Sequence, residues 1–270
     1  MNMPPLGQGT FRLQGQQAVD AVTNGLAAGY RHIDTAQIYG NEAEVGQALA
    51  GSGVARSDVY LTTKIWTANL GANLIDSLKD SLHKLRTDAV DLTLIHWPSP
   101  DGAVPLAQSL DALMDAKRQG LTGAIGVSNF NVALMQEAIG AIGAGHIATN
   151  QVELHPYLQN RKVAAFARAV GIPVTAYMPL AYGKVLTDPV IDAIARRHDA
   201  TAAQVTLAWV LAKGYTTIPS STRRANLDSN LGALALRLTP QDIAAIDALN
   251  MPDGSGRIVG PDFAPVWDIG

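Results

Sequence analysis

The sequence predicts an α/β protein of parallel strands joined by crossover helices, with a closed (β/α)8 barrel favoured over an open doubly wound sheet. Short β-type runs alternate with longer helix-type runs from one end of the chain to the other, the pattern of strand and crossover. Eight runs qualify as strands, a number that suggests closure. The first turn, Gly7-Gln8-Gly9-Thr10-Phe11-Arg12, lacks the third glycine of the G-x-G-x-x-G that an open dinucleotide-binding sheet carries after its first strand. Alternation is common to both architectures, so on pattern alone the open sheet stays as the alternative.

Taken in order, the candidate strands are Leu6–Thr10, Arg31–Thr35, Val59–Lys64, Leu92–His96, Ala124–Ser128, Thr149–Glu153, Val174–Met178 and Thr216–Pro219. Several close an apolar run with a polar or ionisable residue. Between the third and fourth, Leu74, Leu78, Leu82 and Leu85 recur at three- and four-residue spacing with Asp80 and Lys84 on other faces, an amphipathic helix whose leucine stripe packs on the barrel wall. Thr201-Ala202-Ala203-Gln204 and Thr239-Pro240-Gln241-Asp242 read as helix starts: a threonine cap, a polar partner three residues on and, in the second, Pro240 at the first helical position. No repeat or low-complexity tract interrupts the pattern, so residues 1–270 are expected to form one domain. The Gly/Pro/Asp-rich stretch from Met251 to Gly270 reads as a short, flexible C-terminal tail.

The chain has 270 residues, 47% of them hydrophobic, enough for a large core. Its net charge of −3 and interspersed signs give neither a basic stripe for nucleic acid nor a polybasic membrane anchor, which leaves a small molecule as the expected partner. Without cysteine there is no disulfide, thiolate chemistry or thiolate-ligated metal. Met1 to Thr10 lacks the features of a signal peptide, and no apolar run is long enough to span a bilayer, so a cytoplasmic protein is expected.

In barrel enzymes the reacting groups sit at the C-terminal ends of strands. Asp34, Lys64 and His96 each close an apolar run, and Tyr39 follows Asp34 on the next loop. Singly, each has an ordinary structural role open to it: a loop cap, a snorkelling lysine, a core histidine. Together they form a chemical set. A lysine buried at a strand end needs a counter-ion, and Asp34 is the candidate. An ammonium beside a phenol would draw the pKa of Tyr39 down from about 10, towards a range useful for general acid catalysis.

Seven segments in order then resemble the aldo-keto reductase family: Gly7-Gln8-Gly9-Thr10-Phe11, Asp34-Thr35-Ala36-Gln37-Ile38-Tyr39, Thr63-Lys64-Ile65-Trp66, Asp91 to Pro98, Ile125-Gly126-Val127-Ser128-Asn129-Phe130, Asn150-Gln151 and Ile218-Pro219-Ser220-Ser221. Pro219-Ser220-Ser221-Thr222 and the run from Asn150 to Lys162 are most similar to small bacterial members that reduce 2,5-diketo-D-gluconate, methylglyoxal and other small carbonyls. The resemblance implies a TIM barrel, NADPH as cofactor, no metal and a monomer. It makes Tyr39 the proton donor, Lys64 held by Asp34 its modulator, and His96 the group that orients the carbonyl.

It also implies the cofactor contacts. Ser128, Asn129 and Gln151 match positions that bind the nicotinamide carboxamide, and Tyr177 matches the aromatic platform under the ring. Gly9, Thr10, Phe11 and Leu180 border the same cofactor. At the adenosine phosphate the chain departs from the commoner pattern, with Ser220 and Asn226 where many relatives carry a lysine and an arginine. Ser221, Thr222, Arg223 and Arg224, opening a helix that ends near Asn230, are the expected phosphate cradle, since guanidiniums and helix N-termini both favour anions. Phe11, Trp66 and Trp97 would line the substrate pocket. The short stretch from Ser99 to Val104 and the short tail imply an open, shallow pocket, and the start at Met3-Pro4-Pro5 implies no full hairpin beneath the barrel. The competing functional class is a non-catalytic NADPH-binding subunit, against which the four chemical residues argue; a phosphate-sugar isomerase leaves that set unexplained.

Overall fold

A computed structural model describes residues 2–269. Its strands are β1 (Gln8–Gly9), β2 (His32–Asp34), β3 (Tyr60–Ile65), β4 (Val90–Ile95), β5 (Thr122–Ser128), β6 (Ile147–Glu153), β7 (Val174–Tyr177) and β8 (Thr216–Thr217). They form one parallel sheet in sequence order. Leu6 bridges Thr217, and the N–H groups of Gly7 and Gly9 donate to the carbonyls of Thr217 and Pro219, so the last strand returns to the first and the barrel closes. The open sheet is thereby excluded. Gly9 is required at that seam: a Cβ there would lie 2.8 Å from the Ile218 carbonyl oxygen.

Around the strands lie α1 (Gly15–Ala28), α2 (Glu42–Gly51), α3 (Leu74–Leu85), α4 (Leu106–Arg118), α5 (Val132–Ile142), α6 (Arg161–Ala169), α7 (Pro189–Arg197), α8 (Ala202–Ala212), α9 (Arg224–Leu231) and α10 (Pro240–Asp247). In α3 the leucine stripe falls as expected, and Leu74, Leu78, Leu82 and Leu85 are all buried against the wall, each contributing about 1.5–3 kcal/mol. Thr201 and Thr239 close complete capping boxes with Gln204 and Asp242, satisfying amides that would otherwise be orphaned. The main core fills the layer between strands and helices. Inside the barrel Tyr60, Leu92 and Leu94 pack together, with Met3 and Ala148 against them.

Two local features aim the site. Between β5 and β6 the register advances from Ile125↔Ile147 to Val127↔Asn150, so β6 carries one extra residue over that interval. Gly126 sits at the same place, where a Cβ would come within 2.7 Å of the Thr149 carbonyl oxygen. The second feature is the tail. It is irregular as expected, but it is tied down rather than free: Glu153 accepts from the N–H groups of Ile258 and Val259, Asn131 donates to the Val266 carbonyl, and the Val132 N–H donates to Asp268. The end of β6 and the capped N-terminus of α5 supply partners that no composition rule can foresee.

Candidate active site

Asp34 ends β2, Lys64 lies one residue from the end of β3, His96 follows β4 immediately, and Tyr39 lies on a single 3-10 turn after β2. All four gather at the C-terminal mouth. Lys64 Nζ, fully buried, lies 2.5 Å from Asp34 Oδ1 and also donates to the Thr35 carbonyl at 3.0 Å and to Tyr39 Oη at 3.2 Å. Asp34 Oδ2 accepts from Gln151 Nε2 at 2.8 Å, so both carboxyl oxygens are engaged. The ammonium reaches Tyr39 and the carboxyl holds the ammonium.

Electrostatics correct one expectation. Burial pushes the Tyr39 phenol above its ordinary value, and the pull of Lys64 offsets only part of it, so the phenol is held protonated rather than drawn down. Burial likewise works against the Lys64 charge, but Asp34 and the contact with Tyr39 outweigh it and leave the amine raised. His96 is driven well below its ordinary value, by burial first and then by the Lys64 charge. A neutral imidazole follows, and its Nδ1 is buried without a partner among the described residues. The Tyr39 and His96 rings meet edge to face at 5.6 Å.

A cleft of about 1160 Å³ runs from these groups to the start of α9, larger than the roughly 300–1,000 Å³ usual for a drug-sized ligand. Its wall takes in Asp34, Tyr39 and His96, together with Gly9, Phe11, Trp66, Trp97, Asn129, Gln151, Tyr177, Leu180, Ser220, Ser221, Thr222, Arg223, Asn226 and Asn230. Four expected residues lie outside the wall. Lys64 stands behind Tyr39, Thr10 is buried with its hydroxyl on the Asp34 carbonyl, and Ser128 is buried with its hydroxyl on the Gln151 carbonyl. Arg224 turns away, its Nε 2.9 Å from both carboxyl oxygens of Asp228, an i,i+4 pair on α9. The proposed pair of guanidiniums is thus divided, and Arg223 alone faces the cleft, with no acidic partner among the described residues.

At the other end Tyr177 donates its hydroxyl to Asn129 Oδ1 at 2.8 Å, while Asn129 Nδ2 donates to the His96 carbonyl and to Ser128 Oγ. Asn129 adopts a left-handed φ of 63°, which asparagine tolerates better than most residues. Its amide is therefore spent inside the protein and fixes the Tyr177 ring. Gln151 differs: its Nε2 is committed to Asp34, and its side chain borders the cleft.

The sequence reading missed several residues around the cleft. Ile258 to Pro261 of the tail border it, and Phe263, outside the lining, stacks edge-on against Trp66 and Trp97, both at 5.9 Å. Arg12 lies over the rings of Phe11 at 5.4 Å and Tyr182 at 4.6 Å. Gln37, whose amide bonds Trp66 N–H, Asn69, Ser77 and Ser81, joins the Tyr39 turn to α3; its place inside a family motif was the only signal for it.

A profile of the aldo/keto reductase family matches residues 5–251. The chain belongs to that family. It is 58% identical to methylglyoxal reductase DkgB of Salmonella typhi over 270 residues, which is 99% of this chain and all of the relative, and 56% identical to the DkgB of Yersinia pestis over the same shares. Among solved structures it resembles a proposed 2,5-diketo-D-gluconic acid reductase B at 45% identity and a TM-score of 0.94, covering 99% of this chain and 94% of the other. This member of the family is an oxidoreductase that acts in carbonyl reduction. No helix among the described residues is long and apolar enough to cross a membrane.

Proposed function

We propose that this aldo-keto reductase uses NADPH to reduce small aldehydes, ketones and dicarbonyls, with methylglyoxal and 2,5-diketo-D-gluconate as the leading candidates and Tyr39 as proton donor. The observation that carries this reading is the buried chain Asp34–Lys64–Tyr39 opening on the cleft beside a neutral His96. The cleft suits a dinucleotide on its own chemistry: an unpaired guanidinium, Arg223, with the Ser221 and Thr222 hydroxyls at one end, and the Gln151 amide and the Tyr177 ring at the other. When bound, NADPH supplies the hydride that reduces the carbonyl carbon.

The protein's own groups manage the oxygen. Tyr39, kept protonated by burial, donates its hydroxyl proton as negative charge develops there, and Lys64 donating to Oη stabilises the phenolate left behind. His96, neutral, donates one hydrogen bond and orients the carbonyl without competing as an acid. Asp34 keeps the ammonium charged and in place. Arg223 binds the 2′-phosphate. The aromatic wall of Phe11, Trp66 and Trp97, the two tryptophans backed by Phe263, excludes water and favours a compact, uncharged carbonyl, which supports methylglyoxal over a sugar acid.

The test is loss of NADPH absorbance with methylglyoxal and with a 2,5-diketo sugar acid, in the native protein and in Tyr39→Phe. Turnover should fall by about 10²–10⁴-fold in the variant while NADPH still binds. Equal turnover in the variant would remove the proton-donor role, and tight NADPH binding without turnover in the native protein would favour a binding subunit.

A further inference from the structure

Glu153 is a fully buried carboxyl group on the barrel that the proposed chemistry does not use. It ends β6, two residues after Gln151, and both of its carboxyl oxygens reach the tail. Oε1 accepts from the Ile258 N–H and Oε2 from the Val259 N–H, each at 2.8 Å, and His155 Nε2 lies 2.8 Å from Oε1. Its backbone carbonyl accepts from Asn160 Nδ2, and Asn160 Oδ1 in turn accepts from Arg257. Arg257 then lies 3.6 Å over the Trp267 ring, clamping together the two ends of residues 258–266. Phe263 rides on that closed loop against Trp66 and Trp97.

Backbone amides that bond a carboxylate in a buried setting are held by charge-assisted bonds, roughly twice as strong as neutral ones. A carboxylate has two oxygens to offer two successive amides; a carboxamide has one. We propose that Glu153 is a positioning residue for substrate selectivity: its carboxylate fixes the start of the tail loop and thereby both the Ile258–Pro261 border of the cleft and the seat of Phe263 against the cleft tryptophans Trp66 and Trp97. The proposal rests on the carbonyl-reductase reading above, and gives a buried charge in β6 a function the proton chemistry leaves unassigned.

Two experiments test it. In the first, Glu153→Gln keeps the side-chain volume but turns an NH2 towards one of the two amides. The kcat/KM ratio of methylglyoxal to a para-substituted benzaldehyde should fall by about 10-fold, through KM, with kcat at saturation and NADPH affinity within about 3-fold of native. Phe263→Ala should shift the ratio the same way, and the double variant should shift it little further, because both act through one wall. An unchanged ratio, or full additivity, overturns the proposal. The second uses the native protein: the Ile258 and Val259 amides should exchange with deuterium far more slowly than the Gly260 amide, and equal exchange overturns the anchor even if Glu153→Gln fails to fold. Absence of NADPH turnover in the native protein would instead sink the reductase reading and leave the exchange result standing.

Discussion

Replacing Lys64 with methionine removes a charge while nearly keeping the volume of the side chain. It strands Asp34, whose carboxyl is buried and is left with Gln151 Nε2 as its one remaining side-chain donor. Breaking a buried pair from one side costs about 3–5 kcal/mol. At about 2–4 °C per kcal/mol for a chain of this size, the unfolding midpoint at pH 7.5 should drop by roughly 6–20 °C. Thermal unfolding followed by circular dichroism measures the drop. Adding Asp34→Asn should restore stability at pH 7.5 without restoring turnover, since the cost lies in the orphaned charge. A double variant no more stable than Lys64→Met would refute the account.

Three further outcomes follow. With the phenol and the amine both titrating above their ordinary values and His96 below its own, reduction needs a protonated phenol that is lost only as pH rises through a raised pKa; kcat/KM for methylglyoxal should be flat from pH 7 to 9, and an inflection near neutrality would contradict it. Arg223→Ala should weaken NADPH at least about 10-fold more than NADH in fluorescence titration, whereas Arg224→Ala, already paired with Asp228, should change both by less than about 2-fold. Gly126→Ala pushes a methyl group against the Thr149 carbonyl and Leu94, and should cost about 1–3 kcal/mol in denaturant unfolding.

The barrel was legible because alternation, strand-end polarity and capping are local in sequence, and the eight strands fall where runs such as Val174-Thr175-Ala176-Tyr177 placed them, within a few residues. The shortest, β1 and β8, were drawn too long because the closing seam needs only a few bonds. Asp34, Tyr39, Lys64 and His96 could be assembled because each lies at a strand end or on the loop after one. What escaped were quantities set by distance. Whether Lys64 or burial governs Tyr39 depends on how much water the phenol loses, and Arg224 is taken by Asp228 one helical turn away, a competitor visible at i,i+4 but not weighed. Phe263 was missed because its partners, Trp66 and Trp97, are far away in sequence.

The extra residue in β6 settles which way its polar side chains face. Ile147 points out to the helices, and strict alternation from there would send residue 151 outward as well and residue 150 inward. Instead Asn150 faces Phe130 and Met135 on the helical side, and Gln151 reaches Asp34 inside the barrel. Drawing the extra residue back into a regular pleat, with β6 at its full length, would exchange the two, placing an amide with no counterpart among the apolar helix contacts and leaving Asp34 with one donor fewer. A strand whose composition reads as ordinary thus carries its catalytic register in a single bulge.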